Sequence, residues 1–343
     1  MIPTIITLPP PIENAISKIL ARQGVESWLE RAQVLHQRYF QQQEDARQVH
    51  VHDFVDAQAY LALRASATYA QISGALAATC EMLPDWKPQT LLDLGCGPGT
   101  GLWAASTWLP TLSHATGVDQ SSHFLSLGKR IFDETPSAIT ATWKQQDALA
   151  YMRNDPTKYD LIIIANMLNE LDGEQRQQLL QLAFDRCKQL LLIVEPGTPV
   201  GNRVTQSAAT VLSQSGQLIA PYLGRQHPAS QAFWLHFPQR FTRPSFARKL
   251  RQEMRDSPLM ASDWEEAKFC YVAVGKMAAP IPAWGRSVGP VEVRNGYLEV
   301  PILTADDLSV VKVLKRHKEE YAFAKKLRWG EVIEESFLAS TKA

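Results

Sequence analysis

Apolar residues recur along this chain with two periods, and the change of period divides it. From residue 12 to about 83 the spacing is helical: Ala57–Met82 carries Ala, Leu, Tyr and Ile at three- and four-residue intervals with no internal proline. Pro84 and Pro88 then punctuate, and short apolar runs take over. Runs at 90–94, 115–119, 141–145, 159–165 and 188–195 alternate with helical stretches, the pattern of a parallel, doubly wound α/β sheet. Tyr159–Ala165 is β-branched and almost unbroken, as a central strand buried on both faces should be. A helix follows from Gly173-Glu174 to about Arg186, and Lys268–Val274 is a further strand that should end the domain. Pro280-Ile281-Pro282-Ala283 reads as a linker. Beyond it, Val291–Arg294 and Tyr297–Val300 flank Asn295-Gly296, a two-residue hairpin signal, and a last helix covers about Lys315 to Leu327. The expected organisation is a helical extension over 1–83, the main domain over 84–278 and a small β-rich unit over 284–343.

The first apolar run leads into Asp93-Leu94-Gly95-Cys96-Gly97-Pro98-Gly99-Thr100-Gly101 and then Leu102-Trp103-Ala104-Ala105, which reads as strand, tight loop, helix. Glycines let the backbone turn sharply and approach a ligand closely, and the helix start offers free N–H groups and a positive dipole end. A dinucleotide fingerprint is spaced G-x-G-x-x-G; here the spacing is Gly95-x-Gly97-x-Gly99. That loop resembles the first motif of class I S-adenosylmethionine-dependent methyltransferases, in which it faces the methionine moiety and the ribose. Asp119, closing Ala115–Asp119 and followed by Gln120, stands where a carboxylate accepts both ribose hydroxyls. Gln145-Gln146-Asp147-Ala148 stands where related enzymes hold the adenine amino group. The resemblance implies S-adenosylmethionine as cofactor, held by Asp93, Gly95, Cys96, Gly97, Gly99, Asp119, Gln120, Asp147, Ala148 and Asn166. Taken singly, the residues keep other readings. The glycines could form only a tight turn, Asp119 could cap the helix starting at Ser121-Ser122, and Asp147 could lie in a solvated turn.

Composition narrows the class. With 343 residues, 45% hydrophobic and 20% charged, the chain has an ordinary globular balance. Its formal charge is zero, so no global field draws it to nucleic acid. No apolar run approaches the ~20 residues that cross a bilayer. The start, Met1–Pro11, has no basic region and several prolines, unlike a secretory or transit signal, so a soluble cytoplasmic protein is expected. Cys80, Cys96, Cys187 and Cys270 show no C-x-x-C spacing and lie in or beside apolar segments, so neither a disulfide framework nor a metal site is expected from them.

In a doubly wound sheet, ligands bind at the carboxyl ends of the strands. There lie Asn166 and Asn169-Glu170 after the fourth strand, and Glu195-Pro196-Gly197-Thr198 after the fifth. Enzymes that methylate an exocyclic base amine often carry an Asn/Asp-Pro-Pro-aromatic segment after the fourth strand; here it reads Asn166-Met167-Leu168-Asn169. No cysteine stands where it could attack a pyrimidine. Methyl transfer can proceed largely by aligning donor and nucleophile, with Glu170 or His236 as candidate proton acceptors, and a purely structural role is open for each.

An ordered set of segments carries a further resemblance: Ala59–Arg64 with Ala67–Ala70, the glycine loop with Trp103-Ala104-Ala105, Asn169-Glu170-Leu171, Val194–Pro199, Trp234-Leu235-His236-Phe237, Lys268–Tyr271 and Ala324–Gly330. Together they resemble the methyltransferase-like family of small-ribosomal-subunit assembly factors of bacteria and mitochondria. That resemblance implies S-adenosylmethionine binding and engagement of the maturing small subunit and its rRNA. Members usually hold an iron–sulfur cluster on four cysteines, in a Cys-Pro-His…Cys-Pro segment, a Trp-Cys-His-Phe segment and the C-terminal β unit. Here Ala220-Pro221-Tyr222, His227-Pro228, Leu235 and a position near Pro301 stand in their place, so no cluster is expected.

Two basic groups suit a phosphate-tracking surface: Arg240, Arg243, Arg248, Lys249, Arg251 and Arg255, and then Lys312, Lys315, Arg316, Lys318, Lys325, Lys326 and Arg328. Solvated helix faces are the alternative. Three functions therefore stand: an rRNA methyltransferase of the small subunit, a non-catalytic S-adenosylmethionine-binding assembly factor, and a small-molecule methyltransferase.

Overall fold

The protein is described by a computed structural model covering residues 4–21, 30–32, 34–35, 51–223, 233–247, 263–277, 283–304 and 307–334. Strand β1 (Ile5–Ile6) precedes helices α1 (Pro10–Ala21), α2 (Phe54–Leu63) and α3 (Ala65–Met82). The expected helix over 57–82 is thus two helices, meeting at Arg64, whose φ of −118° bends the chain between them. Asp53 caps α2 by accepting the Asp56 N–H at 2.8 Å. Helix α3 buries Tyr69, Ile72, Leu76 and Met82 with no polar stripe between them, because it lies inside the molecule.

The alternating region follows: β2 (Thr90–Leu94), α4 (Thr100–Trp108), β3 (His114–Asp119), α5 (Ser122–Asp133), β4 (Thr140–Gln145), α6 (Ala148–Asn154), β5 (Tyr159–Ala165), α7 (Gly173–Arg186), β6 (Cys187–Pro196) and α8 (Pro199–Leu212). Then come β7 (Gln217–Ala220), β8 (Phe237–Thr242) and β9 (Trp264–Gly275). Among the described residues these strands form one sheet in the order β4-β3-β2-β5-β6-β9-β8-β1. Strand β7 pairs with the other end of the β9 edge that β8 occupies. The five strands from β4 to β6 are mutually parallel, and β9 returns antiparallel to β6. The central run Leu161–Ile164 has no exposed surface, as its unbroken apolar pattern requires.

A second, antiparallel sheet holds β10 (Gly285–Ser287), β11 (Glu292–Arg294), β12 (Tyr297–Thr304), β13 (Leu308–Leu314) and β14 (Val332–Ile333). The hairpin closes as expected: Arg294 pairs with Tyr297, and Gly296 takes a φ of +85°, the left-handed conformation such turns need. The last helix, α9 (Lys318–Ala324), is shorter than the expected 315–327, because β13 runs to Leu314 and the helix begins only after His317. The sheet packs Leu298, Val300, Ile302 and Val313 under α9. Trp329 and Arg328 tie it to the main body: Trp329 meets the His236 ring at 4.7 Å, and Arg328 Nη1 donates to Thr4 Oγ1 at 2.8 Å. No helix among the described residues is long and apolar enough to cross a membrane.

Candidate functional site

Strand β2 has β3 on one side and β5 on the other, so the chain leaves it in opposite directions and opens a crevice above its carboxyl end. A cleft of about 1370 Å³ lies there. Its walls are the glycine loop, the ends of β3 and β5, the Pro196–Thr198 turn, Tyr60, Arg64 and Gln71 of α2 and α3 and the junction between them, and Lys268 of β9.

Gly95, Gly97 and Gly99 all have positive φ, at +68°, +54° and +92°. They differ in surroundings: a Cβ on Gly95 would strike Met167, and one on Gly99 would strike Trp143. One on Gly97 would meet nothing within 4 Å, so Gly97 is where the loop's backbone borders open space. Asp119 fastens this loop: its Oδ2 accepts the Gly97 N–H and its Oδ1 the Ser121 N–H, both at 2.8 Å. Cys96 N–H donates to Val118 O at 3.0 Å, drawing the loop against β3. Asp119 was open to the reading of a helix cap; Ser121 is the residue whose side chain caps α5, accepting the Phe124 N–H at 3.3 Å.

Asp93 is buried beneath the loop, and burial pushes its carboxyl well above the usual range, with the Asp119 charge adding to the rise. The backbone N–H groups of Gly101 and Leu102 oppose that shift, and Oδ2 has no hydrogen-bond partner among the described residues. Gly101 shows what this packing costs. In a helix Ala is better than Gly by about 1 kcal/mol, yet a Cβ at Gly101 would run into the Asp93 carboxylate. Overpacking, about 1–3 kcal/mol, outweighs propensity, so Gly101→Ala is expected to lower Tm in scanning calorimetry. A rise would show that the carboxylate moves aside freely.

Gln120, Asp147 and Ala148 also border the cleft. Asp147 spends its Oδ1 on the Ala150 N–H at 2.8 Å, capping α6, so only the rest of its carboxylate is open to an adenine. Asn166, after β5, takes φ +53°, a conformation that a non-glycine residue adopts at a cost. Its N–H donates to Val194 O at 2.8 Å and its Nδ2 to Gln71 Oε1 at 3.0 Å. Glu170 reaches the cleft from the short turn Leu168–Glu170. It keeps accessible surface, but the crowding walls, helped by the Asp119 charge, push its pKa up to about 7, suited to a proton acceptor near neutrality. Glu195, fully buried, anchors that turn by accepting the Leu168 N–H at 2.9 Å.

His236 is not brought to the cleft. It is buried, stacks on Trp234 at 4.2 Å, meets Trp329 edge-on and bonds Trp234 O through Nδ1 at 3.1 Å. Burial lowers its pKa. The proton-acceptor expectation is therefore corrected in favour of a packing role, because the imidazole is stacked on Trp234 and packed edge-on against Trp329. Ala220 and Leu235, at two of the family's cluster positions, are buried apolar side chains, and Pro301 lies within β12. None supplies a thiolate, so the described residues do not fit an iron–sulfur cluster; His227-Pro228 lies outside the described residues.

Of the basic groups, Arg243 is largely buried with its Nε on Glu265 at 2.7 Å, so it is removed from the RNA-facing surface expected for it. Arg240 lies 4.3 Å over the Trp264 ring and 3.9 Å from Glu266. Lys315, Arg316, Lys325, Lys326 and Arg328 are exposed; Arg248, Lys249, Arg251 and Arg255 lie outside the described residues. Sequence reading missed Tyr60, Arg64, Gln71 and Lys268 as cleft walls. Their segments carry only the family resemblance, and nothing local marks a helix or a far strand as bordering a site.

Solved structures similar to this chain include magnesium protoporphyrin IX methyltransferase from Synechocystis with bound SAM, at TM-score 0.34 and 11% identity over 78% of this chain and 97% of that one. The plantazolicin methyltransferase BamL with SAH is similar at TM-score 0.40 and 14% identity, over 78% and 98%. The human mitochondrial ribosome assembly protein METTL17 is 28% identical over 156 residues, which span 43% of this chain and only 33% of that relative. The family described as mitochondrial small ribosomal subunit Rsm22 matches residues 54–334, from the first wall helix of the cleft to the last strand of the second sheet, and the chain belongs to that family.

Proposed function

We propose that the cleft binds S-adenosylmethionine and that the protein acts on the maturing small ribosomal subunit as a methyltransferase-like factor. The observation that carries this reading is Asp119 fastened to the loop at Gly97, with open space on the cleft side of that glycine. This cradle fits the cofactor: Asp119 and Gln120 would take the ribose, Gly95–Gly99 with Asp93 and Asn166 the methionine part, and Asp147-Ala148 the adenine edge. When bound, the cofactor supplies a methyl group made electrophilic by its sulfonium.

The chain's own contribution is alignment and proton transfer. Glu170 stands at the cleft with a pKa near neutrality and would accept the proton that a methylated nitrogen or oxygen gives up. The exposed Lys315, Arg316, Lys325, Lys326 and Arg328 would track rRNA phosphates, in the cytoplasm if the small subunit assembles there. The segment Asn166-Met167-Leu168-Asn169 lacks the Pro-Pro-aromatic clamp for a base amine, which favours assembly without turnover as the second reading. A small-molecule acceptor is the third.

The test is incubation with radiolabelled S-adenosylmethionine and small-subunit rRNA or particles, with Gly97→Asp as control. That substitution would put a charged side chain into the open space and is expected to abolish cofactor binding. Label entering RNA from the wild type alone supports methylation. Tight cofactor binding with no transfer supports the assembly role, and binding by neither protein overturns the reading.

A further inference from the structure

One hydrogen-bonded chain crosses from the far strand of the sheet to the cleft. Gln71 of α3 donates from Nε2 to Lys268 O at 2.8 Å, and this fixes which end of its amide faces Asn166. Gln71 Oε1 then accepts from Asn166 Nδ2 at 3.0 Å. An amide has one donor end and one acceptor end. With both Gln71 contacts made, Asn166 cannot flip without setting two N–H groups, or two oxygens, against each other. Its Oδ1 is left as an acceptor of fixed orientation, and that oxygen is buried with no partner among the described residues. Gln71 itself is 3% exposed.

An unpaired buried carbonyl is costly, and Asn166 adds a left-handed backbone to that cost. Both are features that persist where a ligand repays them. The oxygen can only accept, so its partner is a hydrogen-bond donor. The surroundings select its charge: Asp93, Asp119 and Glu170 all line the cleft, and the Asp119 charge adds to burial in raising the pKa of both Asp93 and Glu170. A cationic donor relieves that repulsion, and a neutral one does not. Strand register sets the place. Leu94 of β2 pairs with Ile164 of β5, so Asn166 follows β5 beside the start of the glycine loop, where Met167 packs on Gly95.

Building on the reading of the cleft as an S-adenosylmethionine site, we propose that Gln71 is a positioning residue that orients Asn166 Oδ1 to accept a hydrogen bond from the α-ammonium of the cofactor's methionine moiety. Gln71 lies on the helical layer before the sheet, so this layer takes part in cofactor selection as well as packing. The assignment separates two nucleosides: S-adenosylmethionine carries the ammonium, and 5′-methylthioadenosine, otherwise its nucleoside half, does not.

Calorimetric titration of the full chain with both compounds tests it, using Gln71→Met, which keeps the volume, and Asn166→Gly, which accepts φ +53° without strain. Each variant is expected to weaken S-adenosylmethionine about tenfold, the scale of one lost charge-assisted hydrogen bond, while 5′-methylthioadenosine changes by less than about twofold. The double variant should be no weaker than Asn166→Gly alone, because Gln71 acts only through Asn166. Equal weakening of both compounds, no weakening of either, or loss of methyl transfer with unchanged cofactor affinity would each overturn the assignment. A wild-type chain that binds neither compound overturns the cofactor reading itself, a result distinct from binding with an unaltered preference.

Discussion

Asp119→Ala is expected to weaken S-adenosylmethionine binding by about a hundredfold or more, as read by titration calorimetry. Two losses add. The carboxylate would accept the ribose hydroxyls, and charge-assisted bonds of this kind contribute about 1.5–3 kcal/mol each, so losing two covers that factor. The same carboxylate fastens the loop: Oδ2 holds the Gly97 N–H and Oδ1 the Ser121 N–H. Without it, two backbone donors at the cleft lose their partner, and the glycine turn keeps only its backbone ties to Val118 of β3. Asp119→Asn separates the two effects. Its amide keeps one acceptor for the backbone but presents a donor to the other N–H, so affinity should fall almost as far while Tm falls less than in Asp119→Ala. Burial raises the Asp119 pKa, so its charged form, and cofactor affinity with it, should decline as pH is lowered from neutrality, before an exposed aspartate would protonate. An Asp119→Ala variant that binds as the wild type does would move the ribose away from this end of β3.

What the sequence made legible is what short-range chemistry determines. Residues 90–94 and 159–165 are strands with the bounds read from their apolar runs, since a strand buried on both faces has no polar position to blur its ends. The glycine loop was legible because its conformations exclude other residues, and Asn295-Gly296 for the same reason. The cleft's other wall was not. Tyr60, Arg64 and Gln71 reach it because α3 packs across β8 and β9, a contact spanning some 200 positions that no local pattern encodes. The outer sheet edge was hidden likewise: β1 and β7 are two and four residues long, and β8 alternates in burial but not in residue type, with Gln239 on its buried face. His236 misled because a histidine among aromatics reads the same in sequence whether it faces a cleft or fills a gap. Arg243 misled because a run of arginines does not reveal which of them meets a glutamate on the neighbouring strand.

The second large effect concerns stability. Glu195 has no exposed surface; its Oε1 accepts the Leu168 N–H while Oε2 has no hydrogen-bond partner among the described residues. Burial, reinforced by the Glu170 charge, pushes its pKa up to about 8 from an ordinary 4.5. The folded protein therefore holds this proton more tightly than the unfolded chain does. The penalty is absent below the unfolded value, grows as pH rises from there, and is complete above about 8. Glu170 adds a term of the same sign that is complete above about 7. Asp155 and Asp160, whose pKa values are lowered, act oppositely and at more acid pH, so the wild-type profile alone mixes the contributions. The difference between Glu195→Gln and wild type isolates the buried carboxyl. Glutamine keeps the acceptor for Leu168 and carries no charge, so the two proteins should melt together near pH 5, and the variant should be the more stable by pH 9. The gap is expected to be on the order of a few kcal/mol, several degrees in Tm by calorimetry. Because Glu195 holds the turn that carries Glu170, the variant should also keep cofactor affinity. A variant less stable than wild type at pH 9 would mean that the carboxylate is ionised and satisfied within the fold.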